Sequence, residues 1–345
     1  MSNQPGGTGL TGLANVGNTC YLNTCMQVLS HTRELSQLLD AGTYRSKLQK
    51  KPDSVLLVEW DSLRRLMWSK NCVIAPHAFV RTTRRVAGLK KRELFVGCAQ
   101  NDIQEFWLFL IDAFHEALAR PVDMQVTGNP QTATDALAVQ CYAMMQRMYS
   151  VAYSEMLGIF YGIHMSVVTE IGTGNRLSMH PEPFAGISLS IPSGNGRNRV
   201  PSLYDCFDAY CRKEELTGAN QYETDAGERV DAVRGIEFWS LPDVLMLDLK
   251  RWNPISGGKV HTHVDAPLVG LDLSRYVSGY SPTAYVYDLY AVCNHGGGNL
   301  GGHYVACVRV AAGGWYEFND TMVRAVSPAH VISGKTYCLF YRKKK

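Results

Sequence analysis

The spacing of apolar residues in the first half of the chain predicts helices. After the segment GLANVGNTC, apolar residues recur at intervals of three and four, the period of an amphipathic helix: Leu22, Cys25, Met26 and Leu29. Asn18 and Thr19 are both favoured N-cap residue types, so we expect this helix to begin within a residue of Cys20. The repeated apolar face assigns Cys25 to the core.

Two further helices follow from the same period. Residues 101–118 form one apolar face, made of Ile103, Phe106, Trp107, Leu110, Phe114 and Leu118. Asn101 and Asp102, at its start, are each followed three residues later by Gln or Glu, which fits a capping box. A third helical stretch is predicted over residues 133–157.

The period changes in the second half of the chain. Short segments rich in Val, Tyr, Phe, Leu and Ile are separated by Gly, Asn, Asp and Pro, which is typical of strands and turns: IEFWSLPDVLMLDLKRW, YDLYAVCNH, HYVACVRV, GWYEFND and TYCLFYR. The pattern therefore predicts an α+β protein.

Composition and charge narrow the class of protein. The chain has 345 residues, 46% of them hydrophobic and 19% charged, as in a soluble globular protein of about two domains. With 34 basic and 31 acidic residues, the net charge of +3 does not indicate a nucleic-acid binder. No apolar run reaches the length of a membrane span, and the first residues, MSNQPGGTGL, show neither the charged nor the apolar region of a leader peptide, so we expect none.

The ten cysteines show no two-residue spacing of a zinc knuckle, so we expect reduced thiols, no metal and no cofactor. We expect residues 1–12 to form a flexible arm and the protein to be intracellular. The basic residues 342–345 (RKKK) resemble a nuclear signal, although a short basic terminus is more often simply solvated. The predicted location is therefore cytoplasmic, with the nucleus as the alternative.

Cys20 is the first candidate for chemistry. A lone cysteine is usually an inert buried thiol, but a helix N-terminus presents free N–H groups and a partial positive charge. Both favour the thiolate and lower the pKa of the thiol. The thiolate is the nucleophile of cysteine hydrolases, which also need an imidazole base and a polar group that orients it.

The second half supplies both groups. His303 lies in GGGNLGGHYVACV, where small residues such as Gly302 let a substrate backbone approach the imidazole. Asn319 and Asp320 end the next strand of a predicted hairpin. Either an amide or a carboxylate at that place can hold the imidazole.

These motifs together resemble the ubiquitin-specific proteases, papain-like cysteine peptidases that remove ubiquitin from proteins. GLANVGNTCYLNTCMQVL is similar to the cysteine box of that family, and NLGGHYVACVRVAAGGWYEFNDTMVRAVS is similar to its histidine box. QNDIQEF, LPDVLMLDLKRW and TYCLFYRKK also match family motifs, and all five occur in the family order. The resemblance covers nearly the whole chain.

The resemblance implies a role for each catalytic position. Cys20 is then the nucleophile and His303 the general base. Asn319 aligns with the third catalytic residue, and Asp320 is an adjacent acid that can assist. Asn15 aligns with the side-chain donor to the oxyanion, a kind of contact worth about 3 to 4 kcal/mol.

The resemblance also implies a substrate-binding set. Asp102, Gln104 and Tyr304 align with positions that grip the extended tail of ubiquitin, and Gly302 borders the same cleft. The alternative for Asp102 is a helix cap, which is compatible with tail binding. For His295 the family places a residue bordering the cleft, but a turn residue bonded within its own loop is the simpler interpretation.

The implied fold has a helical thumb over residues 13–157 and a β-rich palm with reduced β fingers over residues 158–345. Many relatives carry two CxxC pairs that bind zinc in the fingers, and this chain has neither. In that region it looks closest to the herpesvirus-associated ubiquitin-specific protease. Trp252 replaces the usual Phe of the LKRF-like motif.

The implied function is a deubiquitinating cysteine protease, a monomer acting on ubiquitin and ubiquitinated proteins through a thioester. Two alternatives remain: a peptidase for another ubiquitin-like modifier, which shares the Gly-Gly end, and an inactive ubiquitin-binding scaffold.

Overall fold

The computed structural model describes residues 9–192, 199–253, 255, 257–298 and 301–344. Most helices precede most strands. Along the chain the helices are α1 (Cys20–Ser30), α2 (Arg33–Asp40), α3 (Pro52–Ser69), α4 (His77–Leu89), α5 (Ile103–Leu118), α6 (Ala133–Tyr149), α7 (Met156–Phe160) and α8 (Leu203–Tyr210). None of them, within the described part of the chain, has the length and apolar character that a membrane span requires.

The described residues also form six short 3-10 helices and sixteen strands. The strands are β1 (Gly12–Leu13), β2 (Val73–Ile74), β3 (Gly162–Glu170), β4 (Arg176–Phe184), β5 (Ile187–Ser190), β6 (Glu214–Leu216), β7 (Tyr222–Glu223), β8 (Arg229–Val230), β9 (Ala232–Ser240), β10 (Val244–Lys250), β11 (Leu271–Asp272), β12 (Val286–Gly298), β13 (Gly301–Arg309), β14 (Trp315–Asn319), β15 (Met322–Val326) and β16 (Thr336–Lys343).

An eight-stranded sheet is the largest of the sheets. Its order is β15-β14-β13-β12-β16-β10-β5, and β11 pairs with the side of β12. All its pairs are antiparallel except β10 with β5. A four-stranded sheet, β4-β3-β9-β6, forms a second unit, and two pairs of short strands complete the set.

The large sheet is apolar on both faces, because each face covers a separate core. In β16, Cys338 and Phe340 belong to the core shared with α1, α3 and α5, while Leu339 and Tyr341 belong to the core on the other face. This alternation follows from the two-residue period of a strand. Trp107 of α5 lies 4.7 Å from the Phe340 ring, measured between centroids, and fixes that helix against the sheet.

The predicted starts of the two helices nearest the candidate site, α1 and α5, agree with the structure within two residues. Helix α1 begins at Cys20, but Thr19, its N-cap residue, makes no capping bond with its side chain. Helix α5 begins after Asp102, whose carboxylate caps it. The single stretch predicted over residues 133–157 is instead two helices, α6 and α7.

The flexible arm predicted for residues 1–12 is too long. Residues 1–8 lie outside the described residues, but Thr11 is buried and donates to the carbonyl of Met67 at 2.7 Å. Gly12 pairs with Val73 in a short parallel ladder. A Cβ at Gly12 would lie 2.4 Å from the carbonyl oxygen of Thr321, so only glycine fits this contact.

Candidate active site

Cys20 is the first residue of α1 and only 2% exposed. Burial raises the pKa of its thiol, and the negative charge of Asp320 adds to that effect. The backbone N–H groups of Tyr304, Tyr21 and Cys20 itself act in the opposite direction but do not outweigh burial. The expectation that the helix N-terminus leaves a low-pKa thiolate is therefore wrong. In the resting site Cys20 is a thiol that needs a base.

His303 lies on β13, the strand that packs against α1. The backbone N–H of the next residue, Tyr304, lowers the pKa of the Cys20 thiol, so this part of the strand lies close to the start of the helix. His303 Nε2 lies 2.7 Å from Oδ1 of Asn319, at the end of β14. Because an amide oxygen only accepts hydrogen bonds, Nε2 carries the hydrogen and Nδ1 is left free to accept a proton.

Asp320 has different partners. Its carboxylate accepts hydrogen bonds from Asn15 Nδ2 at 3.1 Å and from Asn23 Nδ2 at 2.8 Å. Its carbonyl oxygen accepts from the backbone N–H of Leu13 at 2.9 Å. The structure therefore places Asn319 against the imidazole, whereas Asp320 connects the end of β14 to α1 and to the loop before it.

Asn15 is exposed and is fixed from two sides. Its Oδ1 accepts from the backbone N–H of Thr19 at 3.0 Å, and its Nδ2 donates to Asp320. These bonds place the Asn15 amide in the loop directly before α1, with Oδ1 facing the start of the helix and Nδ2 facing Asp320. Nδ2 carries a second N–H, and a side-chain amide donor of this kind can stabilise an oxyanion.

Asn23 belongs to this network, and sequence reasoning missed it. It is 2% exposed and also donates to the carbonyl oxygens of Leu13 and Ala14, both at 3.2 Å. The available signal is its position: Asn23 is a polar residue one turn after Cys20, on a helix whose residues are all buried. A buried amide of this kind needs partners.

Asp102 acts as a helix cap. Its Oδ1 accepts from the backbone N–H groups of Gln104 at 2.7 Å and Glu105 at 3.2 Å. Its Oδ2 accepts from the Tyr337 hydroxyl at 2.5 Å. Tyr337 in turn packs edge-on against Tyr304, with 5.8 Å between the ring centroids. Thus the substrate-binding candidates Asp102 and Tyr304 lie beside each other between α5 and the large sheet.

The interpretation of His295 as a turn residue is wrong. The strand β12 continues through the glycines that follow His295, so this residue lies within the strand and not in a turn. Its side chain is buried. Lys259 Nζ lies 2.6 Å from His295 Nδ1 and 2.7 Å from its carbonyl oxygen. Burial, together with the Lys259 charge, lowers the pKa of His295 to about 4.

The His295 imidazole packs against Gly302, the residue before the candidate base. A Cβ added to Gly302 would lie 2.1 Å from His295 Nε2. Only glycine therefore fits at the residue before His303. Packing against His295 is therefore enough to require glycine at position 302, whether or not a substrate is bound.

Among the residues that the structure describes, no three His, Cys, Asp or Glu side chains are grouped so as to hold a metal ion. We therefore expect purified, tag-free protein to contain no stoichiometric zinc and to keep its Tm when chelator is added, since bound structural zinc would stabilise the fold. Elemental analysis checks this expectation, and one zinc per chain would contradict it.

Comparison with known proteins matches almost the whole chain to one family. Residues 11–341 match the family model described as ubiquitin carboxyl-terminal hydrolase. Ubiquitin carboxyl-terminal hydrolase 2 of Homo sapiens is 32% identical over 348 residues, which cover 98% of this chain and 56% of that protein. The protein of the same name from Gallus gallus is 34% identical, over 96% of this chain and 93% of the relative.

The chain thus spans little more than half the length of the human relative. Among solved structures, the SAGA Ubp8/Sgf11/Sus1/Sgf73 DUB module bound to ubiquitin aldehyde is similar, with a TM-score of 0.75 and 22% identity. That match covers 100% of this chain and 71% of the other. The likeness confirms the α+β, papain-like fold, and the family match over residues 11–341 shows that the chain belongs to the ubiquitin carboxyl-terminal hydrolase family.

Proposed function

We propose that this chain is a deubiquitinating cysteine peptidase that hydrolyses the peptide or isopeptide bond after the C-terminal glycine of ubiquitin. The observation that carries the proposal is the contact of 2.7 Å between His303 and Asn319, made from the strand that packs against the helix beginning at Cys20. This is the arrangement of nucleophile, base and orienting group that thiol hydrolysis requires. The names and similarity of the relatives support the choice of ubiquitin.

The proposed mechanism gives each group one step. His303 Nδ1 takes the proton from the Cys20 thiol, and the thiolate attacks the glycine carbonyl. Asn15 donates to the oxyanion that forms. The imidazolium then protonates the leaving amine, and a thioester remains on Cys20. A water molecule, deprotonated by His303, hydrolyses the thioester and restores the thiol.

The raised pKa of the Cys20 thiol makes the base essential. A thiol that burial keeps protonated reacts only when its proton is removed, so Asn319 acts by holding His303 with Nδ1 unprotonated. Asp320 acts indirectly, since it holds Asn15 through the bond of 3.1 Å. The catalytic set is thus Cys20, His303 and Asn15, with Asn319 and Asp320 as positioning residues.

We assign the extended tail of ubiquitin to the cleft beside Asp102, Gln104, Tyr304 and Gly302. That tail carries two arginines before its Gly-Gly end, and the half-buried Asp102 carboxylate lies near the start of α5. One carboxylate oxygen of Asp102 caps the helix, and the other accepts a hydrogen bond from Tyr337. We therefore expect Asp102 to attract an arginine of the tail through its negative charge.

Replacing Asp102 by Asn separates the two roles. Asn caps helices as well as Asp does, and its N–H₂ can donate to the Tyr337 hydroxyl oxygen in place of the bond that Asp102 accepts, so the Tm should change little. Loss of the charge should raise KM about tenfold and weaken the salt dependence, with a smaller change in kcat. Steady-state kinetics with a ubiquitin amide at two salt concentrations check this. A lower Tm with normal KM would leave Asp102 as a cap only.

The remaining parts of the proposal concern organisation. Residues 13–157 form the thumb and residues 158–345 the palm and fingers, a division supported by the change from helices to strands near residue 160. We assign a monomer that acts in the cytoplasm or nucleus and does not bind nucleic acid or membranes. The missing CxxC pairs support a zinc-less middle region like that of the herpesvirus-associated protease.

Covalent capture tests the function directly. Ubiquitin and its relatives, each carrying an electrophile at the C-terminal glycine, are incubated with the chain side by side. We expect the ubiquitin probe to form an adduct at Cys20, identified by mass spectrometry, and the others to react much more slowly. Faster capture by another modifier would transfer the activity to that modifier. Ubiquitin binding without any adduct would indicate an inactive scaffold.

A further inference from the structure

A short segment before α5 connects the two sides of the candidate active site. We call residues 98–102 the bridging segment. At one end, the carbonyl oxygen of Cys98 accepts a hydrogen bond from Asn18 Nδ2 at 2.9 Å. At the other end, Asp102 is held by Tyr337 of β16 and caps α5. Asn18 lies two residues before Cys20, so the segment is bonded close to the nucleophile.

Gln100, in the middle of this segment, reaches the other side. Its Oε1 accepts from the backbone N–H of Gly302 at 2.9 Å, and its Nε2 donates to the carbonyl oxygen of Gly302 at 3.0 Å. One side chain thus satisfies both backbone groups of the residue immediately before His303. The two residues are 202 positions apart in sequence.

Gly302 is held on its opposite side as well. His295 Nε2 fills the space where a Cβ would lie. Gly302 therefore sits between the buried His295 imidazole and the Gln100 amide, and it has little freedom to shift. Since His303 follows directly, its Cα position is determined by the same contacts.

From this we infer that Gln100 is a positioning residue that sets His303 against Cys20. The inference rests on the chemistry proposed for these two residues. A side-chain amide has one donor and one acceptor group in fixed geometry, so its bonds to the N–H and the C=O of Gly302 hold the peptide groups on both sides of that residue, the second of which continues into His303. The bridging segment is also bonded to Asn18, two residues before Cys20. It therefore links the position of Gly302 to that of the nucleophile, and this link sets the separation of His303 and Cys20.

Two alternatives lead to different kinetics. If the Gln100 amide occupied backbone groups that the substrate tail needs, its removal would lower KM. If Gln100 touched the substrate, its removal would raise KM with kcat unchanged. A positioning residue instead changes kcat while KM stays nearly constant.

The test compares Gln100→Ala and Gln100→Glu with the unchanged chain. Glu keeps the acceptor for the Gly302 N–H but loses the donor to its carbonyl oxygen. We expect kcat for a ubiquitin amide to fall about tenfold in Gln100→Ala, with KM within about twofold, because two neutral hydrogen bonds are lost. Gln100→Glu should also fall, since one bond is gone and a carboxylate faces the carbonyl oxygen.

The matched control is Gln125→Ala. Gln125 is an exposed glutamine whose amide bonds to Asp123, two residues away, and it should leave kcat unchanged. The Tm of all variants is measured, because Gln100 is exposed and its loss should shift Tm by only a degree or two.

A second readout does not depend on ubiquitin. The rate at which iodoacetamide alkylates Cys20 reports how readily His303 removes the thiol proton, and it should fall several-fold in Gln100→Ala. This rate is measurable even if the proposed substrate is wrong, so the two proposals fail separately. Unchanged kcat and alkylation in Gln100→Ala, or a change confined to KM, would overturn the inference.

Discussion

Replacing Cys20 by Ala is expected to abolish cleavage of a ubiquitin C-terminal amide while leaving ubiquitin binding intact. The side chain forms the covalent intermediate, so the loss should exceed about 10³-fold in kcat. The fold should persist, because the change removes one sulfur atom at a helix start that no side chain caps. Turnover is measured with a fluorogenic ubiquitin amide, and binding by titration with ubiquitin.

The control lies on the same helix. Cys25 is fully buried, belongs to the core shared with α3 and α5, and has a pKa raised by burial alone. Cys25→Ala should lower stability slightly and leave kcat within about twofold. Residual turnover above a few per cent in Cys20→Ala would remove Cys20 from the mechanism.

The second large effect is expected at Asn319. Its Oδ1 is the recorded hydrogen-bond partner of His303 Nε2, so Asn319→Ala releases the ring and allows the hydrogen to move to Nδ1, where it blocks proton transfer. We expect kcat to fall about hundredfold with KM nearly unchanged, since the residue acts on the base and not on the tail. Steady-state kinetics at several substrate concentrations separate the two parameters.

Asp320→Ala should behave differently. The carboxylate holds the amides of Asn15 and Asn23, so its loss should lower the free energy of unfolding by about 1 to 2 kcal/mol and weaken the oxyanion contact. We expect a smaller decrease in kcat than for Asn319→Ala. A larger loss for Asp320→Ala alone, without a change in Tm, would reverse the assignment, and the double variant shows whether the two residues share the duty.

Local signals in the sequence account for the features that were predicted correctly. Helices α1 and α5 have regular apolar periods and suitable residues at their starts, and both properties are read from a few neighbouring positions. The predicted hairpin of β13 and β14 brings Asn319 and Asp320 near His303, but the local pattern does not choose between them; in the structure Asn319 makes the contact. Such short-range geometry is encoded within about twenty residues.

The features that were missed or wrong depend on distant parts of the chain. Asp320 lies 305 positions from Asn15 and 297 from Asn23, so its bonds to them cannot be read from spacing. The thiol of Cys20 shows the same limit. Burial of the folded site and the charge of Asp320, 300 positions away, raise its pKa, and the local helix start does not outweigh them.

The position of β16 has a consequence for the order in which the protein assembles during synthesis. This strand is made after every other strand of the large sheet, yet it lies between β12 and β10. Until residues 336–343 leave the ribosome, no strand joins the hairpins that carry His303 to the β10–β5 pair. Before β16 pairs with them, β12 and β10 each have an unpaired edge, and apolar side chains beside those edges are exposed. A chaperone that covers those edges would protect the nascent chain.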